Sequence, residues 1–235
     1  MQTMDQPTVS EMSDRNWKGF YKISGVASLI MAVIVPIECF IFITWPPPTT
    51  AFGYFTLFQN NWFLGLLSLD LLLVVNNVLL MLIYLGLYSA LRRTNQPLMT
   101  TGFILSLVGV AAYFSSNTSF EMFSLSKQFA AAGSETERSL LLVAGQGMLA
   151  VYTGTAYTVY YILNALALLM FSYALLRSTI FSRATAYSAL LAGVFMLVPP
   201  TVGMIGVYIS LLSLIPWTVW LLLFARRLFQ LGKIQ

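Results

Sequence analysis

The chain has 235 residues, of which 58% are hydrophobic and only 9% are charged, and its mean hydropathy is +0.80. Soluble domains carry about 25% charged residues, so this chain has too few to cover a globular surface. The composition excludes a soluble enzyme, a disordered chain and a nucleic-acid-binding module, and it predicts an integral membrane protein. The net charge of +4 does not indicate nucleic acid as a partner, because the basic residues lie at the ends of apolar runs.

Six apolar runs follow a polar N-terminal segment, residues 1–18. The runs cover about 23–45, 62–91, 98–114, 155–176, 184–198 and 203–224. A hydrocarbon core of about 30 Å is crossed by a helix of about 20 residues. The sequence therefore predicts an all-α, polytopic bundle of six transmembrane helices, with a membrane domain over 19–230 and a tail at 231–235. Prolines 46–48 are expected to end the first helix, because proline lacks the backbone N–H that a helix needs.

The segment 115–154, between the third and fourth runs, is predicted to form one or two short helices on the outer surface. Ser134 and Glu137 have the spacing of a capping box, in which side chains satisfy the free N–H groups at the start of a helix. A further short helix is predicted from three phenylalanines whose rings would lie on its apolar side: Phe120, Phe123 and Phe129. We expect this region to cover the outer mouth of the bundle as a lid; the alternative is a loop that contacts another protein.

Lysine and arginine residues are distributed unequally between the two ends of the predicted bundle. Ten fall on one side: Arg15, Lys18, Lys22, Arg92, Arg93, Arg177, Arg183, Arg226, Arg227 and Lys233. Only Lys127 and Arg138 fall on the other side. Because positive residues favour the cytoplasmic face, the sequence predicts a multi-pass protein of the cell membrane with both termini in the cytoplasm.

Two carboxyl groups lie inside the predicted spans, Glu38 in the first and Asp70 in the second. In a continuous helix at 1.5 Å per residue, each would lie about 10–12 Å below the outer boundary. An ionisable group inside a membrane normally faces the bundle interior or a wet cavity. The two acids are therefore predicted to share one polar pocket that opens to the outer side.

Four further polar side chains are predicted to line this pocket. Asn164 lies at a similar depth in the fourth span, and Tyr160 and Tyr161 would place hydroxyl groups near it. Asn77 follows Asp70 by seven residues and would share its face of a continuous helix. No basic residue occurs inside a span to neutralise the acids. Two other interpretations remain: protonated acids that hold helices together, and acids in unrelated positions.

The sequence contains no histidine and a single cysteine, Cys39. Histidine-based zinc sites, histidine-ligated haem, a Ser-His-Asp triad and a paired-cysteine redox centre are therefore excluded. We predict no catalytic residue, no metal ligand and no cofactor, and whether the protein is an enzyme stays open.

Three functional classes are consistent with the sequence. The first is binding or transport of a small cation or amphiphile in the acidic pocket. The second is a lipid-modifying enzyme that uses Glu38 and Asp70 as an acid–base pair. The third is a non-catalytic subunit of a membrane complex. Membrane lipid is the expected partner, nucleic acid is not, and a second copy or another membrane protein stays open.

The stretch 171–193 resembles a family of six-helix bacterial membrane proteins of unknown function. The features that carry the resemblance are Arg177 and Ser178 at the end of an aliphatic span, then Arg183, then Gly193 in a span rich in small residues. The family often has proline where this chain has Ser182. Asp70 matches an acidic residue of the second span in that family. The resemblance implies a six-helix architecture and no particular activity.

Overall fold

The computed structural model describes residues 9–233, and within them the chain forms ten α-helices and one 3₁₀-helix. The α-helices are α1 (Val9–Thr44), α2 (Ala51–Asn60), α3 (Trp62–Leu67), α4 (Leu71–Leu91), α5 (Gln96–Ser116), α6 (Ser119–Ala131), α7 (Glu135–Tyr152), α8 (Thr155–Arg177), α9 (Arg183–Met196) and α10 (Met204–Leu231). The predicted all-α class is confirmed. The predicted N-terminal tail is helical from Val9 onward, and its residues 1–8, like residues 234–235, lie outside the described residues.

Six of the helices form a closed ring in which each packs against two neighbours. The order around the ring is α1, α4, α5, α8, α9 and α10, and α10 packs again on α1. The end at which α4 and α10 finish carries the basic residues Arg92, Arg93, Arg226 and Arg227, and we call it the basic end. The opposite end is covered by α2, α3, α6 and α7, which we call the cap.

Five segments are long and apolar enough to cross a membrane. They are Trp17–Thr44, Leu71–Leu91, Gln96–Ala131, Glu135–Arg177 and Met204–Leu231. The prediction of six such helices is therefore wrong as it stands. The exception is α9, which has 14 residues and a length of about 21 Å at 1.5 Å per residue. It is shorter than the predicted run because Pro199 and Pro200 cannot continue a helix and the chain leaves it at Met196.

The lipid-facing side of the bundle is visible on α1. Apolar side chains recur along it at helical spacing and remain about half exposed or more. They are Ile23, Val26, Ile30, Val33, Ile37 and Phe40. The opposite side of α1 carries small residues, and Ser24 and Ser28 are completely buried against the bundle. This division is typical of a helix between lipid and protein neighbours.

The second predicted span is not one helix. The chain leaves α3 after Leu67 and begins α4 at Leu71, so the prediction of a continuous helix from 62 to 91 is wrong. In the break, Leu69 and Asp70 donate to the carbonyls of Leu66 and Leu67 in i→i+3 bonds, and Asp70 adopts a left-handed backbone that contacts from other helices stabilise. Only α4, about 32 Å long, belongs to the ring.

The cap is held together by aromatic rings and a few hydrogen bonds. Phe55 and Phe58 of α2 contact Phe129 and Phe123 of α6, at ring-centroid distances of 5.4 Å in both pairs. The Ser126 hydroxyl donates to the Phe55 carbonyl at 3.0 Å. The predicted apolar runs leave residues 46–61 between the first two spans without a helix, and the structure forms α2 there.

The two predicted helices between the third and fourth spans are present as α6 and α7. The Ser134 hydroxyl accepts from the Glu137 N–H at 3.2 Å, as the capping box predicts. Of the three phenylalanines, Phe123 and Phe129 pack into the cap, whereas the Phe120 side chain is 60% exposed.

Candidate functional site

Asp70 lies in the sharp turn that joins the cap to the ring. It is the only described residue other than glycine with a positive φ, at φ 61° and ψ 34°. Aspartate tolerates this left-handed region better than most residues, because its short polar side chain can bond locally. The turn places the carboxyl group at the first residue before α4, in a position that is only 6% exposed.

Two tyrosines and an asparagine hold this turn. The Tyr152 hydroxyl, at the end of α7, donates to the Asp70 carboxylate in a short hydrogen bond. The Tyr113 hydroxyl donates to the Asp70 backbone carbonyl at 3.2 Å, and the Asn117 amide donates to the Leu69 carbonyl at 3.0 Å. The carboxylate and the backbone of the turn are therefore fixed by α5 and α7 together.

A cluster of five tyrosines lies beside Asp70, and we call it the tyrosine cluster. Its members are Tyr113, Tyr152, Tyr157, Tyr160 and Tyr161. Neighbouring rings have centroid distances between 5.0 and 6.5 Å. Two members are buried and three are partly exposed. The cluster connects the start of α8 to the carboxylate at the start of α4.

Glu38 reaches the same region from α1. One carboxylate oxygen, Oε2, accepts from the Asn76 amide at 3.3 Å, and the other, Oε1, is buried without a hydrogen-bond partner among the described residues. Glu38 lies on α1 and Asp70 directly precedes α4, and these two helices pack against each other. Each acid has its own hydrogen-bond partner, Asn76 for Glu38 and Tyr152 for Asp70.

Asn77 and Asn164 bond to their own helices through their amide nitrogens. Asn77 donates to the Leu73 carbonyl at 2.9 Å, and Asn164 donates to the Tyr160 carbonyl at 3.1 Å. Both side chains are completely buried, and both amide oxygens lack a hydrogen-bond partner in the described part of the chain. The two asparagines lie on α4 and α8, and these helices contact each other.

The spacing that predicted Asn77 does not apply to this structure, and Asn76 was not predicted. The seven-residue spacing from Asp70 to Asn77 places two residues on one face only within a continuous helix, and Asp70 is not part of α4. Asn76 is the residue that contacts Glu38. Tyr113 and Asn117 were also missed: Tyr113 lies near the end of α5 and Asn117 just beyond it, so no helix-face pattern indicates either one.

Toward the basic end, large aromatic side chains fill the interior of the ring. Tyr84 contacts Phe171 and Trp220 at ring-centroid distances of 5.1 and 6.5 Å, and Trp220 stacks on Phe224 at 5.2 Å. All four side chains are at most 1% exposed. We call this set the aromatic layer. The polar half of the interior thus lies on the cap side, and the basic side is closed.

No family model matches the chain, no curated protein is detectably similar to it, and no solved structure matches it.

The chemistry available at the site is that of acids, amides and phenols. Among residues 9–233, no group of three or more histidine, cysteine, aspartate or glutamate residues could hold a metal ion. The amide and carboxylate oxygens can accept hydrogen bonds or contact a cation, and the tyrosine rings can contact an organic cation through their faces. A groove of about 640 Å³ lies between α2 and α6, and none of the predicted site residues lines it.

Proposed function

We propose that this protein binds, and carries across the membrane, a small cation or a cationic amphiphile in the acidic pocket at the cap end. The observation that carries the proposal is two carboxyl groups on neighbouring parts of the bundle: Asp70, just before α4, is 6% exposed, and Oε1 of Glu38, on the adjoining α1, is buried without a hydrogen-bond partner among the described residues. Residues 23–91 contain no lysine or arginine, and neither do residues 139–176 or 184–225. Charges in a membrane require partners, and a cationic ligand would supply one.

The tyrosine cluster supports an organic cation in particular. Tyrosine rings attract a cation through their negative faces, by about 0.5–2 kcal/mol for each contact. Tyr152 and Tyr157 are partly exposed and lie next to each other beside the Asp70 carboxylate. An ammonium group with apolar substituents would therefore find both a charge partner and apolar contact surface.

The position of the aromatic layer supports a mechanism in which the pocket opens to one side of the membrane at a time. It closes the ring toward the basic end, while the polar side chains lie between it and the cap. A transporter alternates between such closed states, and its binding site lies near the middle of the membrane. In this proposal α6 and α7 act as the lid over the mouth.

The orientation of the protein follows from its basic residues. The basic end holds nine described lysines and arginines from Lys18 onward, and the cap holds Lys127 and Arg138. By the positive-inside rule, we infer that the cap faces the outside of the cell membrane and that both termini are cytoplasmic. This topology requires α9 to be a sixth, short crossing, as in the bacterial six-helix family that the sequence resembles.

A transport assay with neutralised acids tests the proposal. Purified protein in liposomes is expected to take up a labelled organic cation such as tetraethylammonium faster than empty liposomes do. Asp70→Asn and Glu38→Gln remove the charge but keep the shape of the side chain, so both variants should fold. Each should reduce uptake at least about tenfold, because the loss of a charge partner worth about 1.4 kcal/mol corresponds to a factor of ten. Glu121→Gln, on the exposed face of α6, is the matched control and should leave uptake unchanged.

Two results would contradict the proposal. Uptake equal to that of empty liposomes, together with no binding of the probe to the purified protein, would remove the cation as ligand. If both amide variants bind and transport like the native chain while Glu38→Leu and Asp70→Leu unfold, the acids only hold helices together. A lipid product formed by the native chain and lost in both amide variants would instead favour the enzyme alternative.

A further inference from the structure

We propose that side-chain oxygens of Glu38, Asn76, Asn77 and Asn164 form a second site, for a monovalent alkali cation such as sodium. The site lies in the polar half of the ring, between the aromatic layer and Asp70. This site rests on the proposed function and refines it. The inorganic ion would bind at Glu38, and the organic cation would bind at Asp70 and the tyrosine cluster.

The orientation of the three asparagine amides is fixed by their partners. An amide nitrogen can only donate and a carbonyl or carboxylate oxygen can only accept. The Asn76 nitrogen donates to Glu38 Oε2, and the nitrogens of Asn77 and Asn164 donate to helix carbonyls one turn away. Each amide oxygen is therefore directed away from its donor contact. All three oxygens are buried and lack a hydrogen-bond partner within the described residues.

The four side chains come from three helices that pack in sequence, because α1 packs on α4 and α4 contacts α8. Glu38 of α1 contacts Asn76 of α4. Asn77 is the next residue of α4, and Asn164 lies on α8. The three asparagines are at most 1% exposed. The unpartnered atoms here are oxygens only, whereas deeper in the ring the unpartnered atoms are the Tyr84 hydroxyl and the Trp220 indole nitrogen, which can donate.

A buried acceptor without a partner costs about 1–3 kcal/mol, and a charged one costs more. Water could satisfy the amide oxygens, but water does not neutralise the Glu38 carboxylate. A bound cation satisfies the oxygens and the charge together. Asp70 is not one of these ligands, because it precedes α4 and its carboxylate accepts from the Tyr152 hydroxyl of α7.

The donor set selects the class of ion. Carboxylate and amide oxygens are hard ligands that suit alkali and alkaline-earth cations. A divalent ion is usually held by several carboxylates, and this set contains one. A single negative charge with three neutral oxygens balances a single positive charge, so we assign a monovalent ion.

The thermal stability of the full chain in detergent tests the site. Sodium chloride should raise the melting temperature by several degrees relative to the same concentration of N-methylglucamine chloride, because an ion that binds only the folded state stabilises it. Glu38→Gln should lose this shift. The exposed control Glu121→Gln should keep it. Melting temperatures measured in lithium chloride and in potassium chloride give the selectivity of the site among alkali cations.

Direct binding of radioactive sodium to the native chain is the second measurement, and it stays informative if Glu38→Gln fails to fold. Saturable sodium binding supports the site. Equal melting temperatures in all salts, together with no sodium binding, would overturn it, as would a sodium shift that survives in Glu38→Gln. Organic-cation binding to Asp70 is measured separately, so a failure of the sodium site does not imply a failure of the proposed function.

Discussion

The Tyr152 hydroxyl donates a hydrogen bond to the Asp70 carboxylate, and this contact joins the last residue of α7 to the turn that begins α4. The two residues are 82 positions apart in the chain. The bond therefore couples the cap to the ring at the mouth of the acidic pocket. A carboxylate at a position 6% exposed depends on such a donor, because burial removes most of its water.

Tyr152→Phe is expected to lower the free energy of unfolding by about 1–3 kcal/mol, because it leaves the Asp70 carboxylate without its donor. Thermal unfolding of purified protein measures the loss. Tyr208→Phe is the matched control: Tyr208 is 65% exposed on α10 and should change stability by less than about 0.5 kcal/mol. In a double-mutant cycle, Tyr152→Phe should cost less in an Asp70→Asn background. Full additivity of the two changes would contradict the bond.

The left-handed backbone of Asp70 predicts an order of stability among substitutions at this position. Asp70→Gly and Asp70→Asn suit a φ of 61°, whereas Asp70→Val places a β-branched side chain in a conformation that it rarely adopts. Asp70→Val should therefore melt at a lower temperature than Asp70→Ala, and Asp70→Ala below Asp70→Gly. Valine, alanine and glycine at Glu121, inside α6, should give a different order, with the alanine variant the most stable. Equal melting temperatures across the Asp70 series would argue against the strained turn.

Much of the architecture could be predicted from the sequence because it follows from hydropathy and proline. Helix α1 ends at Thr44, two residues before Pro46. Helix α8 matches the predicted run 155–176 within one residue. Ser134 fixes the start of α7 through a local hydrogen bond. These features depend on residues that are close in the chain.

The errors arose where tertiary contacts decide the local structure. A turn at Asp70 within a long apolar run has no glycine or proline to indicate it, and the bonds that stabilise it come from Tyr113, Asn117 and Tyr152. The depth predicted for Asp70 assumed a continuous helix and fails with it. Which of Asn76 and Asn77 contacts Glu38 depends on the rotation of α4 against α1, which hydropathy does not determine.

Two glycines allow a test of close packing between α1 and α4. A Cβ atom at Gly86 would lie 2.6 Å from the Ser24 Cβ, and the Ser24 hydroxyl is fixed by a 2.8 Å bond to the Leu82 carbonyl. Gly86→Ala should therefore destabilise the protein by about 1–3 kcal/mol. Gly147 lies inside α7 with no atom within 4 Å of an added Cβ, and Gly147→Ala should stabilise by about 0.5–1 kcal/mol. Chemical unfolding in a mild detergent distinguishes the two, and changes of the same sign at both sites would contradict this packing.

The last prediction concerns α9, whose 14 residues decide whether the chain crosses the membrane five or six times. Its ends lie at opposite ends of the ring. Before α9, the Arg227 guanidinium of the basic end donates to the Ile180 carbonyl. After it, the hydroxyls of Thr201 and Thr158 lie 3.2 Å apart, and Thr158 belongs to the first turn of α8, next to the cap.

The contacts at its two ends predict that α9 and the 3₁₀ turn that follows it connect the two sides of the membrane. Single cysteines are introduced at Arg183 and at Thr201 after Cys39→Ala removes the native thiol. In intact cells, an impermeant maleimide should label Thr201→Cys and leave Arg183→Cys unlabelled until the membrane is opened. Lys127→Cys and Arg93→Cys report the same two sides on other connections and serve as references. Labelling of both positions from the same side would mean that α9 does not cross, and the two termini would then lie on opposite sides of the membrane.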